Sequence, residues 1–165
     1  MVGRVVTTIT GESQRIYRPE LRSFEVINTE SEESYKIYVK SEDEYFSLSL
    51  PPGHYKINRV QISEGPFLSM AQLSGNFVLE PDVTTFLGTW RFGVDSPKYG
   101  RQVMVSMIHD EQDQQRAKQF VKDSYPTIDA RPMAIQIPEP SHEEARLYEV
   151  MPYPRILGYF RRHWW

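Results

Sequence analysis

A chain of 165 residues suffices for one domain with a sizeable core and falls short of two. Its formal charge of -3 argues against binding nucleic acid through a broad basic face, and 13% aromatic with 25% charged residues belong to a folded chain rather than a disordered one. The absence of cysteine excludes disulfides, thiolate catalysis and cysteine-ligated zinc or iron–sulfur centres.

No apolar run approaches the roughly 20 residues that a membrane helix needs. Met1-Val2-Gly3-Arg4-Val5 lacks the basic and then long apolar regions of a signal peptide. Asn28, Asn58 and Asn76 each lack the hydroxyl residue two positions on that glycosylation needs.

Residues 2–10 are rich in β-branched side chains and end at the turn signal Gly11-Glu12-Ser13. Phe24 and Val26 alternate with Glu25 and Ile27, which predicts a strand over 23–29. The acidic residues 30–34 then form a hairpin loop, and Tyr35, Ile37 and Val39 alternate with Lys36, Tyr38 and Lys40. A second acidic turn, Ser41-Glu42-Asp43-Glu44, leads into Phe46, Leu48 and Leu50, which alternate with Ser47 and Ser49. Pro51 and Pro52 cannot continue a central ladder, and Pro-Gly supplies a chain reversal with Gly53 at positive φ. Tyr55 and Ile57 resume the alternation, so 46–57 reads as strand, tight turn, strand.

The apolar phase then shifts from Tyr55 and Ile57 to Val60 and Ile62, which predicts a bulge near Asn58-Arg59. Glu64-Gly65-Pro66 breaks the strand, and 68–73 is either irregular or a short edge strand. Residues 76–80 are strand-like and turn at Pro81-Asp82. Over 84–94, Phe86, Trp90 and Phe92 share one face, with Gly88 small enough to admit an aromatic from the facing sheet. A loop over 95–100 precedes Val103, Val105 and Met107, the last clear strand. Roughly eight short strands separated by turn residues predict an all-β, antiparallel Greek-key sandwich.

The composition changes at Asp110, a helix N-cap with Asp113 in the first turn. Ala117, Phe120 and Val121 form a narrow stripe, so this helix lies on the sandwich surface and stops at Pro126. Six of the twelve prolines lie between Pro126 and Pro154. Within that extended segment, Ser141-His142-Glu143-Glu144 reads as a capping box, and Leu147, Tyr148 and Met151 predict a second short helix. The division is therefore 1–126 for the sandwich with its surface helix and 127–165 for a proline-rich arm with an aromatic, basic end.

The turn Leu50-Pro51-Pro52-Gly53-His54-Tyr55, followed by a strand pair ending in Phe86-Leu87-Gly88, resembles the prealbumin-like sandwiches known as carboxypeptidase regulatory-like domains. The helix ending in Tyr125-Pro126 is most similar to bacterial envelope, lipoprotein-type relatives. The resemblance spans about residues 2–126. It implies a non-catalytic accessory module on the periplasmic side of a cell envelope, whereas the missing signal segment implies the cytoplasm.

His54, His109, His142 and His163 match no metal-binding spacing, and the acidic runs at 30–33 and 42–44 lack the glycine and ligand spacing of a calcium loop. No nucleophile elbow, phosphate loop or dinucleotide fingerprint is present, so no enzyme activity and no cofactor are expected. Phe86, Trp90 and Phe92 are either core or a sugar-stacking face. Residues 152–165 carry +3, leaving -6 on the remainder of a chain whose total is -3. Arg155, Tyr159, Phe160, Arg161, Arg162, Trp164 and Trp165 are costly to leave in water and are of the types that anchor interfaces. They either fill a groove on their own sandwich or dock on a protein partner or a membrane surface. The leading expectation is an accessory or structural subunit fastened by this arm to a larger, membrane-associated assembly, without nucleic acid. A carbohydrate- or small-ligand-binding module is the alternative, and a hydrolase the third reading.

Overall fold

The computed structural model describes residues 1–9, 17–40, 43–95, 101–126 and 131–150. Among these residues the chain forms twelve strands and one helix. The first strands are β1 (Val2–Ile9), β2 (Pro19–Asn28), β3 (Ser34–Tyr38), β4 (Asp43–Ser47), β5 (Gly53–Glu64) and β6 (Phe67–Gln72). They are followed by β7 (Asn76–Leu79), β8 (Thr84–Asp95), β9 (Gln102–Ile108) and α1 (Glu111–Ser124), then β10 (Met133–Ile135), β11 (His142–Arg146) and β12 (Tyr148–Val150). No helix among the described residues is long and apolar enough to cross a membrane.

The strands make two six-stranded sheets packed as a sandwich. Sheet A runs β11-β9-β8-β1-β4 with β10 also on β8, and sheet B runs β12-β6-β5-β2-β3 with β7 also on β5. The fold is therefore an all-β sandwich carrying one short helix, as expected, but β1 and β10 run parallel to β8, so sheet A is mixed and not wholly antiparallel. The inward phases read from the alternating patterns meet in the middle. Phe24, Phe46 and Trp90 interlock with ring centroids 4.9 to 5.3 Å apart, and Trp90 donates its indole N–H to the Leu87 carbonyl at 2.9 Å. Tyr55 stacks on Phe77 at 5.6 Å and donates its hydroxyl to the Pro51 carbonyl at 2.7 Å. A buried hydroxyl thus keeps a partner, as interior polar groups must.

The bulge expected near Asn58-Arg59 is present. Glu25 faces Arg59 and Val26 faces Ile57, so Asn58 is the extra residue on β5. The helix also begins as read: Asp110 is its N-cap, accepting from the Gln112 and Asp113 backbone N–H groups. The buried side of α1 presents Ala117 and Val121, with Asp113 buried beside them.

Five local expectations are corrected. The Phe46 strand and the Tyr55 strand do not form a hairpin: β4 pairs with β1 in sheet A and β5 with β2 in sheet B, so Pro51-Pro52-Gly53 carries the chain from one sheet to the other. Prolines that end one ladder suit a crossing between layers as well as a tight turn. Phe86 does not share a face with Trp90 and Phe92. A bulge between Val2 and Arg4 on the β1 pairing, with Gly88 at φ +82, turns Phe86 outward under α1 with Val2, Ala117 and Val121, while Trp90 and Phe92 point into the sandwich. The neighbours that require a glycine at 88 are the Ile137 side chain and the Ile108 carbonyl, not a facing aromatic.

The segment over 68–73 is neither irregular nor an edge, because β6 lies between β5 and β12. The capping-box reading at Ser141 fails as well. His142–Arg146 is a strand on β9, and the Glu143 carboxylate accepts from the Ser74 backbone N–H at 2.8 Å and the Ser74 hydroxyl at 2.9 Å instead of capping a helix. The stretch 133–150 thus adds β10 and β11 to sheet A and β12 to sheet B.

Candidate functional site

One end of the sandwich gathers the features with chemistry. The strand ends that flank the stretches 10–16, 41–42, 96–100 and 151–165 all lie there, since Val6 faces Asp43, Ile9 faces Val94, Asp95 faces Gln102 and Val150 faces Leu68. Arg101, just before β9, ties the two sheets together at this end. Its guanidinium sits 2.7 Å from the Glu64 carboxylate and donates to the Ser69 hydroxyl at 3.2 Å.

The β5–β6 hairpin turns through Gly65 at φ +57, and the Tyr17 ring covers that glycine so closely that a Cβ would lie 2.6 Å from it. Beside the turn runs a groove of about 1260 Å³ on sheet B. Arg22, Lys36, Tyr38 and Lys40 form one side of its lining, Gln61 and Ser63 the floor, and Phe67 and Leu68 the other side. The described lining residues include three cations and no carboxylate. Arg22 is the extra residue of a second bulge, between Leu21 and Ser23. This places its guanidinium over the next strand, where it donates to the Ser63 hydroxyl at 2.7 Å and pairs with Glu20 at 2.9 Å. Lys36 lies 5.0 Å from the centre of the Tyr38 ring, a cation–π distance. Val39 donates to the Arg22 carbonyl at 2.9 Å, carrying the β2–β3 pairing one step past Tyr38 and bringing Lys40 to the groove rim.

Next to this groove, Glu25 is almost fully buried. It accepts from Arg59 through Nε at 3.0 Å and Nη2 at 2.8 Å, and from the Asn58 amide at 2.7 Å. Burial pushes its carboxyl pKa up, but the hydrogen bonds from Arg59 and Asn58 and the Arg59 charge outweigh burial and hold it below the ordinary value of 4.5. The bulge that frees Asn58 thus also aims Asn58 and Arg59 at one carboxylate.

The predicted interface residues Arg155, Tyr159, Phe160, Arg161, Arg162, Trp164 and Trp165 lie outside the described residues. The chain reaches them from Val150, at the end of β12 opposite Leu68 in the groove wall. His163 also lies outside the described residues. The other histidines are dispersed: the His54 carbonyl accepts from Thr29, His109 meets the Gln114 amide oxygen at 3.3 Å, and His142 lies 3.2 Å from both the Ser106 and Ser141 hydroxyls. The second ring nitrogen of His142 faces Ser141 and not a carboxylate, so this Ser–His pair lacks the orienting acid of a nucleophilic triad. Among the described residues no group of three or more His, Cys, Asp or Glu is placed to hold a metal ion. Phe86, Trp90 and Phe92 are fully buried, so they do not form the sugar-stacking platform that the alternative reading required.

The sequence reading passed over Arg22, Lys36, Tyr38 and Lys40. Their signal was present in the polar phase of 35–40, where every residue alternating with the buried Ile37 and Val39 is a lysine or a tyrosine. Comparison with models of protein families, with curated proteins and with solved structures finds no match to the chain.

Proposed function

We propose that this chain is a non-catalytic accessory or structural subunit that docks on a larger protein assembly through residues 152–165. The observation that carries the reading is the point of departure of that segment. Among the described residues β12 is an edge strand of sheet B, and it delivers the chain at Val150 to the end of the sandwich where the basic groove opens. The segment beyond combines three arginines with two tryptophans, two tyrosines and a phenylalanine and has no aspartate or glutamate. Aromatic and arginine side chains dominate the energetics of protein interfaces, and their burial against a partner removes a large apolar surface from water.

The test is removal of residues 151–165. The shortened protein keeps the thermal unfolding transition of the full chain and no longer co-purifies with the partner that the full chain retains. Unfolding of the shortened protein would instead assign those residues to the core and overturn the proposal.

A further inference from the structure

The strand register lines up a row of residues across the outer face of sheet B. Tyr38 faces Ser23, Ser23 faces Gln61, Gln61 faces Met70, and Met70 faces Tyr148. Directly paired residues share a face, and five strands at the usual spacing make this row about 19 Å long. Both ends carry the same device. Lys36 lies over the Tyr38 ring at one edge, and Arg146 lies over the Tyr148 ring at the other, 5.6 Å from its centre. Tyr38 and Tyr148 are 67% and 62% exposed, whereas Ser23 between them is 2% exposed and bonds to Gln61 at 3.3 Å, so the row is a trough with raised aromatic rims.

The carboxylates around this trough are already engaged. Glu25, paired opposite Lys36, is held by Arg59 and Asn58, and Glu44 accepts from the Lys40 backbone N–H at 2.7 Å, so among the described residues no carboxylate pairs with the Lys36 or Lys40 ammonium. The Arg22–Glu20 pair is about half exposed on both sides, so an incoming carboxylate displaces it at little cost. Phe67, 50% exposed at the groove rim, adds an apolar contact.

We propose that this face binds an extended acidic segment of a partner protein, laid across the strands between the two cation–tyrosine pairs. Its carboxylates meet Arg22, Lys36 and Lys40, and an apolar side chain rests against Phe67. Roughly six residues in extended conformation span the row. The chain's own residues 152–165 are a poor occupant, because their three arginines would face three further cations. A flat bilayer touches the raised rims but not the Ser23–Gln61 floor. The proposal shares with the docking reading only the idea of a protein partner, and it stands without the terminal segment.

The probe is a fluorescein-labelled peptide alternating glutamate and phenylalanine, followed by anisotropy on the full chain, on the chain shortened after Val150, and on an Arg22→Gln/Lys36→Gln/Lys40→Gln variant. The three exposed positions leave the fold intact, which a thermal transition verifies. Binding that weakens with salt, falls about tenfold in the triple variant and persists in the shortened chain supports the proposal. No binding to the full chain, or binding lost on shortening but kept in the triple variant, overturns it. Two further results also sink it: equal sensitivity of binding to phosphatidylserine vesicles, which assigns the face to lipid, and self-association abolished by the triple variant, which assigns it to a second copy.

Discussion

Asp113 accepts from Arg4 of β1 at 2.6 Å through one oxygen and from Thr89 of β8 at 2.6 Å through the other, so a single buried carboxylate pins α1 to two strands of sheet A. The hydroxyl of Thr89 reaches it because the bulge at Gly88 turns that residue to the helix side. Replacing Asp113 with Ala leaves a partly buried guanidinium and a buried hydroxyl facing each other without the acceptor, and we expect a loss of about 3 kcal/mol in urea unfolding. Asp113→Asn keeps one acceptor and loses less. Asp113 was legible as a first-turn acid, but its partners lie 24 and 109 positions away and no local pattern reveals them. Gly88 was legible only as a small residue, because the backbone carbonyl that crowds it belongs to Ile108 on the neighbouring strand.

At the scale of elements, the Glu25–Asn58–Arg59 cluster holds β2 against the bulge of β5. Glu25 has its folded pKa lowered, so the unfolded chain binds the proton more tightly and the contribution to stability is present above the ordinary value of 4.5. It is lost as pH falls through the lowered folded value. Glu25→Gln is therefore expected to be less stable than the parent at neutral pH and to show a flatter decline of the urea midpoint below about pH 5. The bulge behind this cluster was readable, because a slip in apolar phase is a local property of sequence. The fate of 142–150 was not: Ser-x-x-Glu with apolar residues following fits a helix cap, and only the open edges of β9 and β6 decide for strands. Those edges make a prediction. Ending the chain at residue 141 removes β11, β12, the buried Leu147 and the Glu143–Ser74 bonds. It should cost about 3 kcal/mol, or roughly 10 °C in Tm, where ending it at 150 costs almost nothing.

For the whole molecule, the alternation of apolar and polar residues reported the all-β class and the position of most strands up to β9. It did not report which sheet each strand joins. The 46–57 stretch illustrates the reason: a proline pair states that a ladder ends, and the same words serve a hairpin and a crossing between layers. The mixed topology of sheet A also has a consequence for biogenesis. Sheet B takes β2, β3, β5, β6 and β7 from residues 19–79, a run interrupted only by β4 of sheet A, and then lacks only β12. β1, by contrast, runs parallel to β8, with Val2 opposite Phe86, so β1 waits for some eighty residues of synthesis before its central neighbour exists. At about 5–20 residues per second that interval lasts several seconds. Through it the inner face of the early strands of sheet B is opposed only by the β1–β4 pair, and Trp90, around which Phe24 and Phe46 close, has yet to be made. We expect the nascent chain to expose this apolar face until β8 and β9 emerge, so that its folding on the ribosome is concentrated late, in one closing step.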